Sequence, residues 1–443
     1  MCQDRTDEPD RHLSEERSLC GFFNVSWIGK LANVPANAQN GCRGGSRGTK
    51  ELFFIDSVAS QLVKCNRRNF SAAWIDYKKA FDSVPHLWLL RVLELYKIDG
   101  AVQDFLEDDC LNPLWFCLSL NHLSTLLERS GTGFQFRRRD TKVSHLLYMD
   151  DLKLLAPNAA RLMELLKITT EFRGSIRMQL GLDKCAVVHV DRRQVTQSAE
   201  ISLELSNFKT LSEAESYRYL GMSHCIGMPE VNMKQAVCKV FLGRLTKVLR
   251  SYLSGAIKVR AYNGWVLPTL LYTFGVLRWT QTELDALDRR VRTTMTHHRS
   301  HHPKSSVMRL YTPRKCGGRG LLSAKSMHKR EVCSLRAYFE ARRESAMHGD
   351  IMVCDKYLTP LSLAKEEWRR PVVLSICDRE TVWMEKELHG RFYKALHAPH
   401  MDVKASVQWL RFGALFGGNR SFFLCIVQYR MRWLRRKTKG STF

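Results

Sequence analysis

The chain has 443 residues, 44% hydrophobic and 26% charged, the balance of an ordinary globular protein long enough for two or three domains. Lys and Arg total 69 against 44 Asp and Glu; the resulting +25 charge and pI near 9.7 attract polyanions, nucleic acid foremost, with a merely solvated basic surface or acidic lipid as the alternatives. No apolar run reaches the roughly 20 residues of a membrane span, so no membrane partner is expected. The fourteen cysteines contain no CxxC pair and Met1-Cys2-Gln3-Asp4-Arg5 starts no signal peptide, which together predict a reducing compartment, nucleus or cytosol, and not secretion.

Residues 1–38 are polar without periodicity and predict a poorly structured segment. A Gly-rich basic loop follows, Asn40 to Lys50, whose Arg43, Arg47 and Lys50 can offer cations beside backbone N–H groups to phosphates. Its spacing is not that of a Walker A motif, and taken alone the stretch reads better as a plain loop before a helix. Glu51 to Val63 carries apolar residues at helical spacing. Ser71 to Asp76 reads as a buried strand ending in a carboxylate, and Tyr77 to Pro85 as a turn that opens a helix over Leu87 to Tyr96. Leu114 to Leu127 is apolar almost all round, as one helix packed under a sheet would be. Val143 to Leu155 predicts strand, turn, strand; Ala159 to Phe172 a helix; and Ala186 to Val190 a final strand. The order βαββαβ is the split βαβ, ferredoxin-like arrangement.

The unusual stretch is Leu147-Tyr148-Met149-Asp150-Asp151-Leu152, an apolar hairpin interrupted by two carboxylates. Burying two like charges costs several kcal/mol per ion unless something neutralises them. An all-oxygen donor set fits Mg²⁺ or Mn²⁺, and a polar β-turn is the plainer alternative. In a split βαβ sheet the end of the first strand neighbours the hairpin, so Asp76 approaches Asp150 and Asp151. Three carboxylates at one sheet edge can hold two divalent ions for in-line phosphoryl transfer. Phe81, five residues beyond Asp76, would lie beside that pocket, either as a ring that excludes a ribose 2′-OH or as an ordinary core aromatic.

At these residues the sequence resembles the reverse transcriptase of a non-LTR retrotransposon. Ala73 to Val84 is similar to the first catalytic block of that family, and Tyr148-Met149-Asp150-Asp151 to the second. Gly181-Leu182-Asp183-Lys184-Cys185 resembles the block whose lysine lies near the nucleotide phosphates, and Tyr217-Arg218-Tyr219-Leu220-Gly221 the primer-grip hairpin. The resemblance implies an α+β fold: residues 39–69 as a remnant of the fingers, a right-hand polymerase palm over 70–225, a thumb-like helical region over 226–300, and a helical C-terminal region with a basic tail over 301–443. It implies RNA-directed DNA polymerisation, with an RNA template, a DNA primer and deoxynucleoside triphosphates as partners. Asp76, Asp150 and Asp151 would be catalytic and bind Mg²⁺ or Mn²⁺; Tyr77, Phe81 and Lys184 would meet the nucleotide; Arg43, Arg47, Lys50, Tyr219 and Gly221 would meet nucleic acid. Glu107-Asp108-Asp109 stands where the family has a Gln-Gly pair, and the segment from Tyr96 to Glu107 is shorter than usual, as in a truncated and internally deleted copy. The alternative function is therefore a catalytically inactive relic that at most binds nucleic acid.

Farther on, Val231 to Leu253 is a basic amphipathic helix that fits a thumb helix along a duplex backbone, or a core helix with a solvated basic face. Arg430 to Lys439 places six cations around Trp433, suited to RNA or nuclear-import recognition and equally to a solvated tail.

Overall fold

A computed structural model describes residues 38–97, 113–137, 141–192, 194–196, 208–224, 230–356, 359–362 and 376–412. The expected N-terminal segment before residue 38, the Glu107-Asp108-Asp109 block and the basic tail lie outside the described residues. The chain divides into two compact units, one of residues 1–228 with 338–356, the other of 229–337 with 357–443.

The first unit is built on four antiparallel strands: β1 (Phe70–Ile75), β2 (His145–Tyr148), β3 (Asp151–Ala156) and β4 (Ala186–Asp191). Their spatial order is β2-β3-β1-β4, with short strands Gln194–Val195 and Lys209–Thr210 paired to β4. That is the order expected of a split βαβ sheet. Buried throughout, β1 pairs Trp74 with Lys153 and Ile75 with Leu152 on one side, and Trp74 with Ala186 on the other. Because side chains alternate, Ala73, Ile75, Leu152, Leu154 and Val187 share one face. Helices His86–Leu95, Asn121–Arg129 and Ala159–Ser175 cover it, contributing Leu89, Leu123, Leu127, Leu162, Leu165 and Phe172 to one core. The 159–175 helix starts where Asn158 Oδ1 accepts from the Arg161 N–H at 2.9 Å, a side-chain N-cap.

The single helix expected over Leu114 to Leu127 is two, Pro113–Ser119 and Asn121–Arg129. Trp88 Nε1 donates to the Ser119 carbonyl at 3.2 Å, taking an acceptor from the helical ladder at the break.

Trp74, Asp76, Lys153 and Asp151 belong to the opposite face by the same alternation. Helix Thr49–Asn66 provides Phe53 and Asp56 to this side, and the hairpin of β5 (Tyr217–Tyr219) and β6 (Met222–His224) brings Tyr217, Tyr219 and His224. The chain returns to this unit at Tyr338, near the end of helix Ala324–Ala341, and adds helix Ala346–Cys354. There Tyr338 Oη donates to Glu51 Oε2, His348 Nε2 lies 2.8 Å from Glu51 Oε1, and the Phe54 and Phe339 rings meet at 4.3 Å.

The second unit is helical. Glu230–Arg250 corresponds to the basic helix expected from Val231. Gln281–His297 opens with a capping box, Thr280 and Glu283 each accepting from the other's backbone N–H. Pro313 to Gly320 forms a tight turn in which Gly318 N donates to the Pro313 carbonyl at 3.1 Å and Gly320 N to the Thr312 carbonyl at 2.8 Å. Gly318 is obligatory there, because an added Cβ would stand 2.0 Å from the Thr312 carbonyl oxygen.

Candidate active site

The β2–β3 hairpin closes through a two-residue turn, Met149-Asp150, with Tyr148 facing Asp151 across it. Met149 takes φ 54°, a left-handed conformation that costs a side-chain-bearing residue energy and needs support. Gln39 supplies it: its Oε1 accepts from Met149 N at 2.9 Å and from Gly41 N at 2.8 Å. Asn40 N donates to the Leu147 carbonyl at 2.9 Å, so the Gly-rich loop runs beside the hairpin. Arg43 and Lys50 are half-buried in or just after that loop, and Arg47 is exposed with its guanidinium 5.6 Å from the Tyr338 ring centre.

Extending the β1–β3 register one residue beyond Ile75–Leu152 sets Asp76 opposite Asp151. Burial, then the charges of Asp150 and Asp76, push the Asp151 carboxyl up to about 6. Burial is also the main cause of the raised Asp150 carboxyl; Asp76 adds to it, while the Asp150 backbone N–H and Lys184 oppose it. Asp76 Oδ2 is buried without a hydrogen bond, 3.5 Å from Lys184 Nζ, and Lys184 is otherwise largely exposed on the turn Leu182–Lys184. Gly181 makes this approach possible: an added Cβ would stand 2.8 Å from Asp76 Oδ2. The donor set suits a hard divalent cation, since it is all oxygen, two carboxyls repel one another and the third has an unsatisfied oxygen. Among the described residues no three His, Cys, Asp or Glu side chains converge closely enough to hold an ion as they stand.

Several expected contacts take a different form. Tyr77 is 3% exposed, its hydroxyl buried without a hydrogen bond and its pKa raised by burial, so its ring belongs to the core. Tyr219 is 1% exposed and packs edge-on to Phe53 and His224, so it positions the hairpin from within; Arg218 and Gly221 are the exposed residues of that turn. Gly221 has φ +78° and follows Leu220 at +46°, a turn that favours glycine. The Phe81 backbone lies in the helical turn Ala80–Ser83, and its side chain is outside the described residues.

The structure also brings in groups that periodicity passes over. Tyr217 stacks on Trp74 at 5.2 Å, and its hydroxyl pKa is raised by burial and by the charges of Asp76 and Asp151. Behind the hairpin, Lys153 Nζ lies 2.5 Å from Asp56 Oδ1 and 4.5 Å from the Trp74 ring centre, while His224 Nδ1 stands 2.9 Å from Asp56 Oδ2. The charged ends of Lys153 and Asp56 are almost wholly buried. Although burial opposes it, the surrounding Lys153 and His224 hold the Asp56 carboxyl well below the ordinary range, and burial keeps His224 neutral at pH 7 by lowering its pKa. One sequence signal exists for this group, a lysine inside the apolar run Asp151-Leu152-Lys153-Leu154-Leu155.

Residues 45–224 match the family described as reverse transcriptase (RNA-dependent DNA polymerase). The chain is 25% identical over 301 residues to the retrovirus-related Pol polyprotein from type-1 retrotransposable element R2 of Popillia japonica, covering 59% of this chain and 48% of that protein. It is 23% identical over 289 residues to the same kind of Pol polyprotein from Bradysia coprophila, covering 58% and 32%. The match thus spans about half or less of those relatives. A telomerase from Candida albicans, solved in complex with the TWJ fragment of telomeric RNA, aligns at 8% identity and a TM-score of 0.31 over 82% of this chain and 52% of its own. The family match and the R2 relatives agree with the ordered blocks around Asp76, Asp150 and Lys184: residues 45–224 are a reverse transcriptase domain of the non-LTR retrotransposon kind.

Proposed function

We propose that this chain is an RNA-directed DNA polymerase that extends a DNA primer on an RNA template from deoxynucleoside triphosphates. The observation that carries this reading is the register that sets Asp76 at the end of β1 opposite Asp151, beside Asp150 in the β2–β3 turn, with Asp150 and Asp151 raised by burial and repulsion. These carboxylates would hold Mg²⁺ or Mn²⁺, which when bound lowers the pKa of the attacking 3′-hydroxyl and offsets charge on the leaving oxygen. Asp150 and Asp151 must be ionised to serve as ligands, so acid competes with the ion for them. Lys184, held 3.5 Å from Asp76, neutralises phosphate charge beside the carboxylates. Gln39 fixes the hairpin turn, and Arg43, Arg47 and Lys50 follow it in sequence as counter-charges for nucleic acid. Phe81 excludes a 2′-hydroxyl, and the turn at Gly221 receives the primer end.

The test is Mg²⁺-dependent extension of a primed RNA template by the purified full chain. Asp150→Ala should abolish extension with the circular dichroism spectrum unchanged. Undiminished extension by that variant, or none by the intact protein, defeats the reading. Glu107-Asp108-Asp109 in place of the Gln-Gly pair favours one alternative, a relic that only binds nucleic acid. Its signature is salt-sensitive RNA binding, unaffected by Asp150→Ala, without any extension.

A further inference from the structure

The 217–224 hairpin packs on the same face of the sheet as Asp76 and Asp151, yet among the described residues its two strands pair only with each other. Each strand is three residues long, the chain turns at Leu220-Gly221, and Tyr217 faces His224 across the open end. A two-stranded ribbon of that size is marginal by itself in water. Its place on the sheet therefore depends on what its base residues touch.

Both base residues are seated. Tyr217 stacks on Trp74, with ring centres 5.2 Å apart and planes 23° apart. His224 stacks on Phe53 of helix Thr49–Asn66 at 5.4 Å and sets Nδ1 2.9 Å from Asp56 Oδ2 on the same helix. A neutral imidazole facing a carboxylate at that distance carries its proton on Nδ1, because two lone pairs would repel there. Asp56 reaches the sheet with its other oxygen: Oδ1 lies 2.5 Å from Lys153 Nζ, which stands 4.5 Å from the Trp74 ring centre. Trp74 and Lys153 face one another across β1 and β3. They are the pair two positions from Asp76 and Asp151, on the same face and about 7 Å along the strands. A closed circuit thus runs from Trp74 through Tyr217, His224, Asp56 and Lys153 back to Trp74, standing on the rung of the sheet next to the carboxylates. Burial, then the charges of Asp76 and Asp151, raise the Tyr217 hydroxyl pKa, which puts the base of the hairpin beside them. Packed rings alone would let so small a hairpin slide, whereas a buried carboxylate shared by two partners admits one arrangement.

We propose that Asp56 and His224 are positioning residues: through this circuit they fix the hairpin on the sheet and set how far its Leu220-Gly221 turn stands from Asp76, Asp150 and Asp151. This role rests on the reading of those carboxylates as a metal site at which a primer end is extended. Neither residue touches substrate.

Two substitutions separate the contact from the packing. His224→Phe keeps a ring against Phe53 and offers Asp56 no proton, whereas His224→Asn gives up the ring and keeps an N–H donor near the place of Nδ1. Lys153 still faces Asp56 in both. In the purified full chain Fe²⁺ replaces Mg²⁺, and ascorbate with peroxide generates hydroxyl radicals at the ion that cut the nearest backbone. Peptide mass spectrometry then compares cuts within 148–152 with cuts within 217–222 in the same sample. Wild type should be cut at both places; His224→Phe should lose cutting at 217–222 several-fold relative to 148–152, and His224→Asn should keep the wild-type ratio. In single-turnover addition of one deoxynucleotide to a bound primer–template, His224→Phe should slow the maximal rate at least about tenfold, since a displacement of about 1 Å can cost about a hundredfold. The reaction amplitude and the nucleotide concentration for half-maximal rate should not change, and His224→Asn should recover most of the rate. A lower amplitude at unchanged rate marks a residue that only stabilises the fold and overturns the proposal. So does a cutting ratio that ignores His224→Phe or that His224→Asn fails to restore. No cutting of wild type within 148–152 defeats the metal reading, and this role with it. In a chain that is cut at both places and extends nothing, the polymerase reading fails and the cutting ratio alone decides the positioning role.

Discussion

Asp56→Asn should be among the most damaging single changes in the first unit, although Asp56 stands outside the catalytic blocks. The substitution keeps the shape and removes the charge opposite Lys153 Nζ, 2.5 Å away with both side chains 1% exposed. Breaking a buried pair from one side costs about 3–5 kcal/mol. An independent bound agrees: the lysine can escape by losing its proton, and neutralising an ordinary lysine at pH 7 costs about 5 kcal/mol. The Trp74 face, 4.5 Å from Nζ, is present before and after the change and offsets none of the difference. Adding Lys153→Met removes the cation as well and keeps most of the stem's volume, so the double variant should recover to within about 2 kcal/mol of wild type. Hydrogen exchange of peptides spanning Phe70–Ile75 and Asp151–Ala156 reads these free energies locally. A cost below about 1 kcal/mol for Asp56→Asn, or a double variant no better than the single, would refute the reasoning.

Other consequences follow from the same chemistry. Asp151, raised by burial and its neighbours from 3.8 to about 6, has a folded pKa above the unfolded one, so the protein is favoured below pH 4 at this group and loses that advantage as pH rises through 6. Asp151→Asn should therefore stabilise the chain above pH 6 by roughly 1–2 kcal/mol after screening, seen as a higher melting temperature that vanishes below pH 4. His145 is buried between Ser124 and Ser144 with its pKa lowered by burial to about 4. The unfolded histidine takes its proton first, so stability falls as pH drops from 6.5 towards 4, by up to about 3 kcal/mol; a His145→Gln chain should show a flatter denaturation profile over that range. Gly181→Ala should push Asp76 away from Lys184 and lower extension at least tenfold with little loss of overall helicity; unchanged extension would show that the close approach does not matter.

The sheet was legible because its strands are short apolar runs whose order, and the carboxylate ending the first, leave few topologies. Asp76, Asp150 and Asp151 could be placed by alternation and neighbourhood alone. Side-chain direction was harder: Tyr77 and Tyr219 sit in motifs that suggest contact with substrate, yet both rings are buried. A motif records which positions matter, and burial decides whether a residue acts by touching a ligand or by shaping the backbone that does. At the break, the Ser119 carbonyl accepts from Trp88, thirty-one residues earlier, and such a long-range hydrogen bond leaves no periodic trace. Lys153 interrupts an apolar strand, and only the fold supplies its partner, 97 residues away on helix Thr49–Asn66.

The pairing of Glu51 with Tyr338 and His348 has a bearing on how the protein is made. Burial alone would raise the Glu51 carboxyl, and hydrogen bonds from His348, Tyr338 and the Arg47 N–H outweigh it. Its partner His348 emerges 297 residues later, well past the end of the family match at 224. At about 5–20 residues per second on the ribosome, helix Thr49–Asn66 would wait roughly 15–60 s with that carboxylate unmatched and Phe54 uncovered by Phe339. The first unit is thus finished by a late segment of chain, and a gene fragment cut at the boundary of sequence similarity would translate its sheet before the last stitches are in place.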